Sequence, residues 1–195
     1  MTSGALDRVL TYALGVRIGV YNGVAARDRG VLEPDHEPGH KRALAQAALR
    51  ESEPGDAVAF VGGGRCVAPV KAAREGRDVT VYEAGAEAYG VAMSAACLND
   101  VDMELVFAAV GEPGEVSGST ADRRVDPSSI DCDLLVLDCE GAEADVLPRA
   151  PPGRVVVETH PEHGAATGDV VDVLADAEVV AENPIDGHVV VGRAE

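Results

Sequence analysis

The chain contains no tryptophan, only 2 phenylalanines and 4 tyrosines, and 16 Lys plus Arg against 34 Asp plus Glu. So few aromatics leave no platform on which nucleobases could stack. A formal charge of −18 and a pI near 4.5 repel polyanions, so neither nucleic acid nor an anionic membrane surface is expected as a partner. The four cysteines, Cys66, Cys97, Cys132 and Cys139, form no CxxC pair and no ligand-like spacing with histidine. They read as reduced thiols of a cytosolic protein, with no metal site among them. No apolar run suits a membrane span: Val9 to Val24 is short and interrupted by Arg17, and Asp7 and Arg8 spoil a signal-peptide pattern. A cytoplasmic location is expected.

What remains is enough for one core. The 195 residues are 46% hydrophobic, mostly Val, Ala and Leu, which excludes wholesale disorder despite the charge. Abundant acid with little lysine fits a protein kept soluble in concentrated salt, where self-repulsion is screened. A salt-loving cytoplasm is therefore expected, with most carboxylates serving solubility.

The pattern divides near residue 55. Residues 1–55 read as a cap: a short helix over Gly4 to Leu14, an extended segment over Val16 to Val24, a break at Pro34, Pro38 and Gly39, and a helix over Lys41 to Glu51. Residues 56–195 alternate short apolar runs with helical stretches. Strands are expected at Ala57 to Val61, Asp78 to Tyr82, Met103 to Val110, Leu134 to Leu137 and Arg154 to Glu158. An antiparallel pair, Glu178 to Ala181 and His188 to Val191, closes the chain, after a helix over Asp169 to Asp176. Such alternation implies a three-layer α/β domain with a mainly parallel sheet, one globular unit with its cap. Gly111 to Cys132 fits no regular element and reads either as a substrate lid or as a solvated insertion.

In such sheets the ligand sits beyond the carboxyl ends of the strands. Gly62-Gly63-Gly64 follows the first strand, where the missing side chains let backbone approach a ligand, or simply let helix and strand pack closely. Glu83 ends the next strand, placed to accept hydrogen bonds from ribose hydroxyls. The dinucleotide fingerprint GxGxxG fails, because Val67 stands where its last glycine belongs, which counts against NAD. Asp138-Cys139-Glu140-Gly141-Ala142-Glu143 brings acids to a strand end, where they are costly unless paired or bound. Glu143 there reads as a complement to a helix terminus. His160 closes the fifth strand, with an ordinary pKa suited to taking a hydroxyl proton. His163 gives an HxxH spacing without the third ligand zinc needs.

Asp138-Cys139-Glu140-Gly141-Ala142-Glu143, Val146-Leu147 and then Val156-Val157-Glu158-Thr159-His160 resemble the FkbM family of S-adenosylmethionine-dependent methyltransferases, in its short archaeal branch. The Gly62 to Gly64 loop, Tyr82-Glu83, Ala108-Ala109-Val110-Gly111, Tyr21-Asn22-Gly23-Val24 and Val189-Val190-Val191-Gly192-Arg193 match in order. Phe60 stands where the family commonly has an acid, and Cys66 where it has a further glycine. The resemblance implies a class I methyltransferase fold, Rossmann-like, with a seven-stranded sheet whose last strand is antiparallel. It implies S-adenosylmethionine as cofactor, with Gly62, Gly63 and Gly64 around its methionine part, Glu83 at the ribose and Ala108 near the adenine. Asp138 and Glu140 would line the methyl-transfer site. The base remains open among Asp138, Glu140 and His160, and the acceptor implied is a hydroxyl on a small molecule or glycan. A non-catalytic Rossmann-like binding module is the alternative.

Overall fold

The computed structural model describes residues 18–27, 39–112, 118–164, 166–183 and 187–195. The helix expected over Gly4 to Leu14 lies outside them. The described chain opens with a hairpin, β1 (Ile18–Tyr21) and β2 (Val24–Arg27), where a single extended segment was expected. Asn22 and Gly23 both take positive φ, 47° and 82°, the pairing that lets a two-residue turn follow the strand twist. Helix α1 (Arg42–Arg50) buries Leu44, Ala45, Ala47 and Ala48, as its spacing requires.

Strands and helices then alternate: β3 (Ala57–Val61), α2 (Val67–Arg74), β4 (Asp78–Glu83), α3 (Ala86–Asn99) and β5 (Glu104–Phe107). The run expected to continue from Met103 to Val110 breaks at Ala108, and β6 (Ala109–Val110) leaves the sheet to pair with β7 (Arg124–Val125). Gly111 to Cys132 is thus partly regular, holding β7 and a 3-10 turn at Pro127–Ser129. After β8 (Leu134–Leu137), helix α4 (Glu143–Val146) gives way at Pro148 to a 3-10 turn, Leu147–Arg149. Strand β9 (Gly153–Thr159), helix α5 (Thr167–Val173) and the pair β10 (Ala175–Asn183) and β11 (Gly187–Ala194) complete the fold. Helix α5 stops before the expected Asp176 because Leu174 is already extended, at φ −105° and ψ 133°, and buried.

The main sheet has seven strands in the order β10-β11-β9-β8-β3-β4-β5, with β11 alone antiparallel to its neighbours. Sequence order reverses at β3, which pairs with β4 on one side and β8 on the other. The two-residue period of each strand builds two cores. Val58, Phe60, Val79, Val81, Leu134, Val136 and Val156 face α1, α2, α3 and the hairpin, whereas Ala59, Val61, Leu135, Leu137, Val155 and Val157 face α4 and α5. Phe60 is a core side chain on the first of these faces. The hairpin shares that core through Tyr21, Val24 and Ala26, and the Asn99 amide grips Ala25 at both its N–H (3.0 Å) and its carbonyl (2.7 Å).

At the reversal point the loops after β3 and β8 touch through their backbones. Gly62 takes φ 92°, and a Cβ there would overlap the carbonyl oxygen of Asp138. Gly64 also has positive φ, 50°, yet a Cβ on it would meet nothing within 4 Å. Gly62→Ala should therefore cost about 3 kcal/mol, adding a steric clash to backbone strain, whereas Gly64→Ala should cost about 1 kcal/mol. Urea unfolding midpoints of the two variants check this ordering.

Candidate active site at the carboxyl edge of the sheet

The strand period decides which side chains meet at this edge. Asp138 continues the face of Leu134 and Val136, and Glu158 continues that of Val156. With Leu137 opposite Val157 in the β8–β9 register, Asp138 and Glu158 emerge side by side on the α1 face. Lys41, the residue before α1, reaches both: its Nζ lies 2.9 Å from Asp138 Oδ1 and 2.8 Å from Glu158 Oε2. Burial alone would lower the lysine pKa, but the two carboxylates outweigh it and hold the ammonium above its ordinary range. Glu158 is 1% exposed, and burial together with the Asp138 charge pushes its carboxyl up, against the pull of Lys41. Neither Lys41 nor Glu158 was among the expected site residues. The alternation of β9 could have found Glu158; Lys41 is distant in the chain and carried no signal.

Glu143 organises the loop after β8. It is 0% exposed, and its carboxylate accepts hydrogen bonds from the backbone N–H groups of Cys139 (3.0 Å) and Gly141 (2.8 Å). It therefore complements the amides of the loop leading into α4, and it has a second partner that the sequence did not disclose: His160 Nδ1 at 2.9 Å. Burial would raise the Glu143 carboxyl, but the His160 hydrogen bond and the loop amides hold it below the ordinary value. Successive positive φ values at Glu140 (53°) and Gly141 (98°) turn the chain tightly here, and a Cβ on Gly141 would overlap the carbonyl of His163.

His160 joins the acids. Its Nε2 lies 3.5 Å from Asp138 Oδ1 and 4.0 Å from Glu140 Oε2, and the same Glu140 oxygen is 3.4 Å from His163 Nε2. Burial alone would lower the His160 pKa, but the Glu143 hydrogen bond and the nearby acids raise it to about 9. Asp138, Glu140 and His160 are thus brought together. His163 meets them through Glu140 rather than through an HxxH pair.

The glycine loop forms the other half of the site. Glu83 is buried, and its carboxylate accepts from the backbone N–H groups of Gly63 (2.9 Å), Gly64 (3.3 Å) and Gly85 (2.8 Å). A carboxylate offers about four lone-pair sites, so about one remains for another donor. Cys66 is fully buried and forms the base of the loop, with its Sγ 3.4 Å from where a Gly63 Cβ would sit, so it leaves the open side at Gly64 clear. Burial raises its thiol far above the ordinary range. Ala108 is buried beside Glu83, donating its N–H to the Glu83 carbonyl at 3.1 Å. The Tyr21 ring ties the hairpin to this loop, packing against Arg65 (4.5 Å) and His40 (5.5 Å). An open cleft of about 810 Å³ lies at the opposite, amino edge of the sheet, between Arg74, Arg77, Asp100 and Glu104, and none of the expected site residues lines it.

No protein-family model matches the sequence, and no curated protein matches it. Solved structures do resemble it. MtNAS in complex with S-adenosylmethionine has a TM-score of 0.57 at 15% identity over 81% of this chain, which spans 63% of that protein's length. M. jannaschii TYW2 in complex with AdoMet has a TM-score of 0.58 at 12% identity over 91% of this chain and 84% of its own. The T. thermophilus 16S rRNA methyltransferase RsmC, with AdoMet and guanosine, has a TM-score of 0.57 at 13% identity over 92% of this chain and 50% of its own. Likenesses at such low identity establish the fold: the chain has the Rossmann-like fold of class I methyltransferases.

The Glu143–His160 pair has a measurable signature. A raised His160 pKa stabilises the folded state fully below about pH 6.5, the unfolded value, and that contribution is lost as pH rises through about 9. In Glu143→Gln the His160 pKa should fall by more than about 1 unit. The loss of stability between pH 6.5 and 9 should shrink with it, as NMR titration and urea unfolding would record.

Proposed function

We propose that the chain is an S-adenosylmethionine-dependent methyltransferase of the FkbM kind that methylates a hydroxyl of a small molecule or glycan. One observation carries this reading: at the point where strand order reverses, a glycine loop folded around a buried carboxylate touches, backbone to backbone, a loop presenting Asp138 and Glu140, which meet the buried His160 from the end of β9. The residues fit such a cofactor. Gly64 offers an open approach, Glu83 keeps about one lone pair for a single ribose hydroxyl rather than two, and Ala108 provides a small apolar neighbour for the adenine. The bound cofactor supplies an electrophilic methyl group. The chain's own work is then to align the acceptor hydroxyl and remove its proton.

His160 is the group best placed for that proton, in the neutral form that it takes as pH rises through about 9. Glu143 fixes its ring through Nδ1, leaving Nε2 toward the site, whereas Asp138 is held by Lys41 and Glu140 is half exposed. The acceptor class follows from charge: four carboxylates, Asp138, Glu140, Glu143 and Glu158, crowd this edge, and Lys41 pairs with two of them. That favours a neutral or cationic acceptor over a nucleic acid, although RsmC, by its name, acts on rRNA. The same acidity supports a cytoplasm rich in salt. The Lys41 clamp on Asp138 favours the second reading, a binding module without turnover, in which the ion pair closes the acceptor side.

Calorimetric titration with S-adenosylhomocysteine should show binding, stronger in molar salt than in dilute buffer, and Glu83→Ala should weaken it by about 1–3 kcal/mol. No binding at millimolar ligand in either condition would overturn the reading. His160→Gln should retain that affinity while single-turnover methylation of the accepted hydroxyl falls by about 10²–10⁴-fold.

A further inference from the structure

The acceptor side of the site is also built like a metal centre. One ligand atom from each of Asp138, Glu140 and His160 lies within 4.8 Å of the others. Donors about 2.1 Å from a shared ion stand about 3.0 Å apart when adjacent and about 4.2 Å apart when opposite. The separations from His160 Nε2, 3.5 Å to Asp138 and 4.0 Å to Glu140, fall inside that span. Glu140, half exposed, can swing to close the third distance.

His160 supplies an independent indication. The residue is 5% exposed, its Nδ1 bonds the buried Glu143, and its Nε2 is directed at two carboxylates, 3.5 Å from Asp138 and 4.0 Å from Glu140, beyond the range of a strong hydrogen bond. A carboxylate on one ring nitrogen with the other aimed at a pair of acids is how metal-ligating histidines are oriented. Glu143, by accepting from Nδ1–H, fixes the tautomer whose Nε2 can bind an ion once the ion displaces the Nε2 proton. The neighbouring Glu158 and Glu143 add negative charge, and Lys41, which shares Asp138 Oδ1, is the fixed cation that opposes it.

We propose that Asp138, Glu140 and His160 bind one divalent cation of the Mn²⁺ to Zn²⁺ class, with coordination positions left open toward the acceptor. Two carboxylates with one imidazole suit these ions better than Mg²⁺ or Ca²⁺, which prefer oxygen throughout. Its consequence for catalysis rests on the methyltransferase reading: an ion there would lower the pKa of a coordinated acceptor hydroxyl so that its proton passes to water rather than to His160, leaving the oxygen to attack the methyl group. Binding itself does not depend on that reading.

The test uses chelator-treated protein in about 1 M KCl, which screens diffuse attraction by surface acids. Mn²⁺ is titrated and the free ion is followed by EPR. One ion should bind per chain. Glu140→Gln and His160→Gln should each weaken it at least about tenfold, and Lys41→Met, which frees Asp138, should tighten it. Stoichiometric binding of equal strength in both ligand variants would place the ion elsewhere, and no stoichiometric binding would leave no site; either overturns the proposal. If His160→Gln does not fold by circular dichroism, Glu140→Gln, altered at a half-exposed side chain, decides alone. S-adenosylhomocysteine titrated into the same samples separates the two readings. Cofactor binding without Mn²⁺ binding sinks the cation site only, whereas Mn²⁺ binding without cofactor binding sinks the methyltransferase reading only.

Discussion

A carboxylate with no exposure to water is unstable unless its lone pairs are filled, and Glu143 fills them with two loop amides and one imidazole nitrogen. The rest of this half of the candidate site depends on this. The amide bonds hold Cys139 and Gly141 in a turn tight enough to need two positive φ values, and that turn presents Glu140. The imidazole bond fixes the His160 ring at the end of β9, which strand register already sets beside the end of β8. Were Glu143 absent, three groups would lose their partners together. The cost would exceed that of one hydrogen bond, because such networks are cooperative.

Glu83 does the same work for the loop after β3, with three backbone amides in place of two amides and a ring. The two carboxylates belong to loops in backbone contact, because Gly62 has no side chain to keep Asp138 away. The site is therefore assembled by acids facing inward onto donors, within a chain whose excess of acid otherwise reads as a solubility device. Lys41 adds a connection from outside the sheet, binding Asp138 and Glu158 and so drawing the start of α1 over the edge. Its ion pairs are shielded enough for the attraction to outweigh the cost of desolvating the ammonium.

Much of the fold was legible because apolar runs bounded by glycine and acid leave little choice. Ala57 to Val61, Asp78 to Glu83 and Leu134 to Leu137 all became strands, and their order implied a parallel sheet. What misled was local chemistry inside longer patterns. Asn22-Gly23 makes a turn in a segment that periodicity alone reads as extended, and Ala108 lets one run serve two sheets. Asp138, Glu140 and His160 were legible as polar groups at strand ends, the places where a parallel sheet displays its side chains. Glu143 was read as a helix-terminus group, since nothing in a linear pattern says that a carboxylate will meet a ring 17 positions later.

By itself the sequence determined the layers, the strands that display their ends at one edge, and the classes of side chain found there, because period, glycine placement and charge are properties of neighbouring residues. The tertiary structure alone decided the partnerships. Glu143 with His160, Lys41 with Asp138 and Glu158, and Glu83 with the glycine amides join residues whose proximity follows from strand register and packing. Those partnerships set which acids are buried, which ring nitrogen is left facing the site, and hence what the edge of the sheet is equipped to hold.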